Sequence, residues 1–418
     1  AEDGIRDDIS CLVGSEMCIR DRATPGAGYS PSPAVCAKLD AGPMSRTRTA
    51  LSSLLALVLA CASEGSYVEQ GELLMEQRKY DAAIEQFMLA LEENPTSARA
   101  QLNLGLVYLA QKRYDEAIKS IELARKTNES EDVLVALAMV HFQKEDYSTA
   151  VSFMEKALER APDNPMHHFR LGLIRKTAGD LERAVESFQM AMTQNPDLVE
   201  ARINLGLALK ELRRYEEALE VLKDAVKDLR DINADVSGLQ AALGEVYEAM
   251  SMLDYAAHSY KLATKNNKKN GDAVAGLGRV LHAQRRLEES VELLADGAKR
   301  IPNHPKLLLQ LGLSYRDFRL EKQSIEALTK AIELDGSLTE AYAPLIELLD
   351  KQGPSEPLFK VLKKAADAMP NDLDIQLRSG KAGYKTKKYD IAIAAYRRAL
   401  EIEPANVDAN FYLGMSQV

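Results

Sequence analysis

From residue 64 onward the chain repeats one pattern of small, apolar and polar positions. The first copy reads EGSYVEQGELLMEQRKYDAAIEQFMLALEENPTS, and the next opens ARAQLNLGLVYLAQKRYDEAIKSIELA. A small residue, usually glycine, anchors each copy: Gly71, Gly105, Ala138, Gly172, Gly206, Gly244, Gly278, Gly312, Gly380 and Gly414, with Ile346 as the exception. Anchors stand 34 residues apart, except for 33 between Gly105 and Ala138 and 38 between Gly206 and Gly244. Twelve residues after the anchor comes a second small residue, as at Ala83, Ala117, Ala218, Ser290 and Ser324, and nineteen after it a third, as at Ala90, Ala124 and Ala399. Twenty-four after it, Pro95, Pro162, Pro196, Pro302, Pro370 and Pro404 close the unit.

Within each half of a unit the apolar residues recur at intervals of three and four, the period of an amphipathic helix. Leu104, Gly105 and Tyr108 then share one face of a first helix, and Ala117, Ile121 and Ala124 share the facing side of a second. Small side chains let the two axes approach closely. The proline disfavours helix for the residue before it and so ends the unit. One such pair cannot bury its apolar face, whereas a stack of them buries a continuous one.

This arrangement resembles the tetratricopeptide repeat, with its L-G-x2-Y, A-x3-F, A and P positions at a period of 34. The resemblance covers residues 64–418 in ten units. It implies an all-α fold, an α-solenoid of about ten TPR helix pairs forming a right-handed superhelix. Units 1–5 occupy 64–232, an inserted connection 233–236, and units 6–10 residues 237–406. Residues 407–418 are expected to be the first helix of an eleventh unit, truncated at Val418, with Leu413 facing nothing. Two irregularities stand out. The stretch DINADVSG, Asp231 to Gly238, lengthens one connection and predicts a bend or loosened joint. In the ninth unit KQGPSEP separates the helices and Leu358 stands where a small residue is expected, which predicts less regular packing.

The front of the chain follows other rules. Residues Cys11 to Arg22, CLVGSEMCIRDR, look like the in-frame translation of a sequencing-library adapter, so 1–43 is expected to be a non-native, disordered extension and is set aside for fold reasoning. Residues 44–62 have the layout of a secretory signal peptide: Arg46 and Arg48, then an apolar run from Leu51 to Ala60, then small residues. That run is far shorter than the roughly 20 residues of a membrane-spanning helix. Its end, VLAC from Val58 to Cys61, resembles a bacterial lipobox, which implies lipidation of Cys61. Leu59 departs from the small residue usual at its place, and ACA, Ala60 to Ala62, offers an ordinary cleavage site instead. Ala62 follows the cysteine where an Asp would retain a lipoprotein in the inner membrane, so the resemblance implies outer-membrane sorting.

Charge and chemistry narrow the function. The chain carries 53 Lys+Arg against 63 Asp+Glu, a net −10. An acidic body argues against nucleic acid, whose phosphates need a basic face. All four cysteines, Cys11, Cys18, Cys36 and Cys61, precede the repeats, so none staples them or serves there as a nucleophile. The six histidines form no metal-binding spacing, and the adjacent His167 and His168 point about 100° apart on a helix. No glycine-rich phosphate loop is present, since the repeat accounts for the glycine spacing. No catalytic residue, metal or cofactor is therefore expected.

In the tetratricopeptide-repeat family, first helices line a concave groove through residues three before, one after and four after the anchor. The resemblance thus implies an apolar groove of Leu102, Leu106, Leu109, Val135, Met139, Phe142, Phe169, Leu173, Ile203 and Leu207, with Lys176 and Lys210 at one side. An amphipathic helix or extended segment of a partner fits such a surface. The alternative is that these side chains pack between neighbouring helices. The corresponding places in units six to ten are mostly charged or small. Two groove chemistries of the family fit poorly. The Asn of the carboxylate clamp is missing in every unit, and the asparagine-ladder places hold only Asn103 and Asn204, with Gln310 among the other residues there. The reading is a non-catalytic protein-binding scaffold of the bacterial envelope, anchored by lipid and facing the periplasm. Two alternatives are a soluble periplasmic adaptor and the recognition arm of a longer enzyme such as a glycosyltransferase.

Overall fold

The computed structural model describes residues 64–231, 235–353 and 355–417. The expectations for residues 1–63, among them lipidation of Cys61, lie outside the described residues. Described residues form 21 α-helices and no strand. The chain divides into two compact units, one ending at Asn195 and the other starting at Pro196.

The first unit holds four helix pairs: α1 (Glu64–Glu76) with α2 (Tyr80–Glu93), α3 (Ala98–Ala110) with α4 (Tyr114–Thr127), α5 (Glu131–Gln143) with α6 (Tyr147–Arg160), and α7 (Pro165–Thr177) with α8 (Leu181–Gln194). The second unit continues with α9 (Val199–Glu211) and α10 (Tyr215–Asp231), α11 (Ser237–Ala249) and α12 (Leu253–Asn266), and α13 (Gly271–Ala283) and α14 (Leu287–Arg300). After these come α15 (Pro305–Asp317) and α16 (Glu321–Leu334), α17 (Thr339–Lys351) and α18 (Glu356–Ala368), α19 (Leu373–Lys385) and α20 (Tyr389–Ile402), and a last helix, α21 (Val407–Gln417).

The repeat pattern explains why the pairs close. The small residues at +12 and +19 are fully buried, as at Ala83, Ala90, Ala117 and Ala124. At +16, the F place of A-x3-F, a large apolar side chain fills the hollow over the anchor. A Cβ on Gly71 would stand 2.5 Å from the Phe87 ring, and one on Gly172 would stand 2.5 Å from the Phe188 ring. Gly105 meets Ile121 and Gly206 meets Leu222 in the same way.

Each turn between paired helices places one residue in the left-handed region: Arg78, Lys112, Glu145, Gly179, Arg213, Ser251, Arg285, Arg319, Gly353 and Lys387. In the second pair Lys112 N–H donates to Leu109 O at 2.9 Å and Arg113 N–H to Tyr108 O at 2.8 Å, the crossed bonds of a Schellman ending. Several first helices begin on side-chain caps, whereas α9, α11 and α17 open at Leu198, Val236 and Leu338 without one. Ser97, Ser130, Asn164, Asn270 and Asp372 accept from backbone N–H groups of the first turn. Pro165 and Pro305 occupy opening positions where no donor is needed. His304 caps α15 through Nδ1, which accepts from Leu307 N–H at 3.2 Å.

The irregular stretches have structural counterparts. Part of the extra length before Gly244 goes into α10, which runs for 17 residues against 14 in the second helices α8 and α12. In the ninth pair Ile346 and Leu358 are both buried, and the backbones of α17 and α18 approach over fewer positions than those of any other pair. Leu413 does not face nothing: it is half-buried against the cluster of Ala392, Tyr396, Ala399 and Ala409. The exposed apolar face of α21 belongs instead to Val407, Phe411 and Met415.

Candidate partner-binding surfaces

In the first unit the expected groove residues divide by burial. Leu109, Val135, Met139 and Phe142 belong to one core cluster spanning α3 to α7, and Phe169 is buried beside the Phe188 ring at 5.9 Å between centroids. The reason is local. Residues 133 to 140 of α5, VLVALAMV, are apolar on every side, and neighbouring helices bury all of them. Leu102, Leu106, Leu173 and Lys176 remain half-buried and present the accessible part of this surface. Asn103 donates to Glu72 Oε1 at 2.7 Å, and the same carboxylate receives Arg99 Nε at 2.9 Å and Nη2 at 2.7 Å. Asn103 therefore tethers α3 to α1.

In the second unit Ile203, Asn204, Leu207 and Lys210 lie half-buried on α9. Asn204 donates to Glu200 O of its own helix at 2.9 Å. Lys210 pairs with Glu245 on α11 at 2.5 Å. Charges then alternate along the first helices. Glu248 on α11 accepts from Arg279 on α13, at 2.6 Å through Nε and 2.8 Å through Nη2. His282 on α13 meets Asp317 on α15 at 2.8 Å, and Arg316 also pairs with Asp317 at 2.8 Å. The ladder uses residues one, four and five after the anchor. Opposite signs at +4 in one unit and +1 in the next, as at Glu248 and Arg279, were a signal in the sequence.

Tyr260 ties this ladder to the core. Its ring is fully buried and its hydroxyl donates to Glu248 Oε2 at 3.0 Å. Burial, and then the Glu248 and Glu245 carboxylates, hold the phenol pKa far above its ordinary value. Hydrogen bonding to Glu248 raises the pKa of Arg279, so the charge on that guanidinium is fixed.

Beside the ladder opens a cleft of about 310 Å³. Its charged lining is Glu245, Asp272, Arg279, Lys306 and Glu340; Gln310, Ser337 and Thr339 add neutral polar groups, and Tyr260, Leu309 and Leu338 lie on its apolar side. Gln310 is only 8% exposed. Among the described residues no three His, Cys, Asp or Glu side chains are placed to hold a metal ion. No described helix is long and apolar enough to cross a membrane. His167, in the first turn of α7, is buried, and desolvation lowers its pKa.

Comparison with known proteins addresses the repeat directly. Tetratricopeptide-repeat models match residues 68–131, 135–199 and 241–306, others match 177–243 and 305–337, and a TPR-repeat model matches 360–417. Tetratricopeptide repeat protein 21A of Mus musculus is 26% identical over 28% of this chain and 9% of its own length. Superkiller protein 3 of Schizosaccharomyces pombe is 26% identical over 31% of this chain and 10% of its own length. The chain thus spans about a tenth of the length of these curated relatives. Among solved structures, a tetratricopeptide repeat protein from Parabacteroides merdae is 16% identical, covering 60% of this chain and 98% of that one at a TM-score of 0.49. Repeat spacing, paired helices and the family models agree: this chain belongs to the tetratricopeptide-repeat family.

Proposed function

We propose that this protein is a protein-binding scaffold of the bacterial envelope, attached to a membrane through lipid on Cys61. The general part of that reading follows from the family, whose arrays serve as scaffolds for protein–protein interaction and are typically non-catalytic. The envelope part rests on one observation: the order of Arg46 and Arg48, the apolar run Leu51 to Ala60, and VLAC ending at Cys61. The acidic balance of the chain favours protein partners over nucleic acid. Half-buried Leu102, Leu106 and Leu173 offer apolar contact to a partner segment in the first unit. The test of the anchor is membrane fractionation of the wild type and of Cys61→Ala. Release of the variant from the membrane fraction is expected. A wild type already in the soluble fraction would overturn the anchor and favour cleavage at Ala60 to Ala62, which leaves a soluble periplasmic adaptor.

A further inference from the structure

The cleft of the second unit holds fixed charges that are matched and polar groups that are not, Glu340 and Gln310 among them. Lys210 pairs with Glu245, Arg279 spends two donors on Glu248, and Lys306 lies 3.6 Å from Asp272. That leaves Glu340, an exposed carboxylate on the first turn of α17 with no ion pair among the described residues. It also leaves Gln310, nine-tenths buried on α15 with no hydrogen-bond partner among the described residues, and lining the cleft. The residue is nine-tenths buried, but its amide oxygen and nitrogen are not sealed from the cleft, so both remain open to a ligand there.

We propose that this cleft receives a lysine or arginine side chain from an extended segment of a partner protein. Glu340 takes the charge, and the Gln310 amide hydrogen-bonds the segment's main chain, using its donor and its acceptor together. The inference rests on the scaffold reading and names the chemistry of the partner. Half-buried Leu338, beside buried Leu309 and Tyr260, provides apolar wall for the methylene stem of a long basic side chain. About 310 Å³ suits one such residue and its backbone. An acidic side chain would meet Glu340 and Asp272 instead, so the cleft discriminates by repulsion as well as attraction.

The test uses blocked pentapeptides, acetyl-Ala-Gly-Xaa-Gly-Ala-amide, with arginine, lysine, norleucine or glutamate at Xaa, and ligand-observed NMR with the full chain at low salt. The arginine and lysine peptides should bind, with norleucine at least about fivefold weaker and glutamate weaker still. Gln310→Leu and Glu340→Gln should each weaken the arginine peptide by about fivefold or more. Glu340 is on the surface, so its variant keeps the fold, and Glu340→Lys should turn the preference toward glutamate. Equal binding of arginine and glutamate, no binding of either, or variants that bind like the wild type would each overturn the assignment. The scaffold reading is judged apart from this, by photocrosslinking partners from Leu106 and Leu173 in the first unit.

Discussion

Tyr260 on α12 occupies the space that a side chain at Gly244 on α11 would need. A Cβ built on Gly244 stands 2.7 Å from the ring, and one on Gly276 of α13 stands 2.5 Å from it. The ring is wedged between two first helices and cannot slide from one without striking the other. Gly244→Ala is expected to destabilise the chain by about 1–3 kcal/mol, the cost of overpacking a filled core, despite the better helix propensity of alanine. Gly414 has nothing within 4 Å, so Gly414→Ala should be neutral or gain up to about 1 kcal/mol. Urea unfolding of both variants separates the two cases; a raised midpoint for Gly244→Ala would show that the ring has room to move.

The left-handed turn position gives an independent handle. Lys112 holds φ at 61°, where a Cβ is strained and glycine is not. Lys112→Gly should raise stability by roughly 0.5–1 kcal/mol. Gly179, at φ 85°, is the reverse case, and Gly179→Ala should cost about 1 kcal/mol. Thermal melts of the two variants should move in opposite directions.

Asp146 caps α6, its Oδ1 accepting from Thr149 N–H at 3.3 Å, and acid should release that cap. Asp146 is pushed down to about 2, first by the hydrogen bond from Thr149 and further by those from His141 and Ser148. A carboxyl with a depressed folded-state pKa stabilises above its unfolded pKa and loses that contribution as pH falls through the folded one. The stability gap between wild type and Asp146→Ala is therefore expected to hold from neutral pH down to about 4 and to close toward pH 2. Urea midpoints measured across that range would show it; a gap constant to pH 2 would remove Asp146 as the cap.

Two buried serines form a coupled pair. Ser290 Oγ donates to Gly278 O at 2.8 Å and lies 3.0 Å from Ser314 Oγ, with both residues almost wholly buried. Ser290→Ala strands the Ser314 hydroxyl and should cost about 1–2 kcal/mol. Ser314→Ala added to it should cost less than the sum of the single changes. A double-mutant cycle by urea unfolding measures the coupling, and strict additivity would mean that the two hydroxyls do not interact.

The sequence by itself determined the repeat, the helix pairs and their order. Every pair must bury the same stripe, so Ala117 and Ile121 had to face Gly105 and Ala124 had to be buried whatever else the chain did. It also showed the ninth pair as an exception, through Ile346 and Leu358. Tertiary structure alone decided which polar and apolar groups stay accessible. Phe142 and Leu106 look equally available along the sequence, yet Phe142 is buried and Leu106 is only half-buried, because burial depends on the helices packed on either side. Glu248 reads as one surface acid among many, and only packing of α11 against α13 gives it both Arg279 and the Tyr260 hydroxyl. The unpartnered amide of Gln310 is likewise invisible in a period of 34, since a repeat specifies what is shared between units and a binding site is made where one unit departs from it.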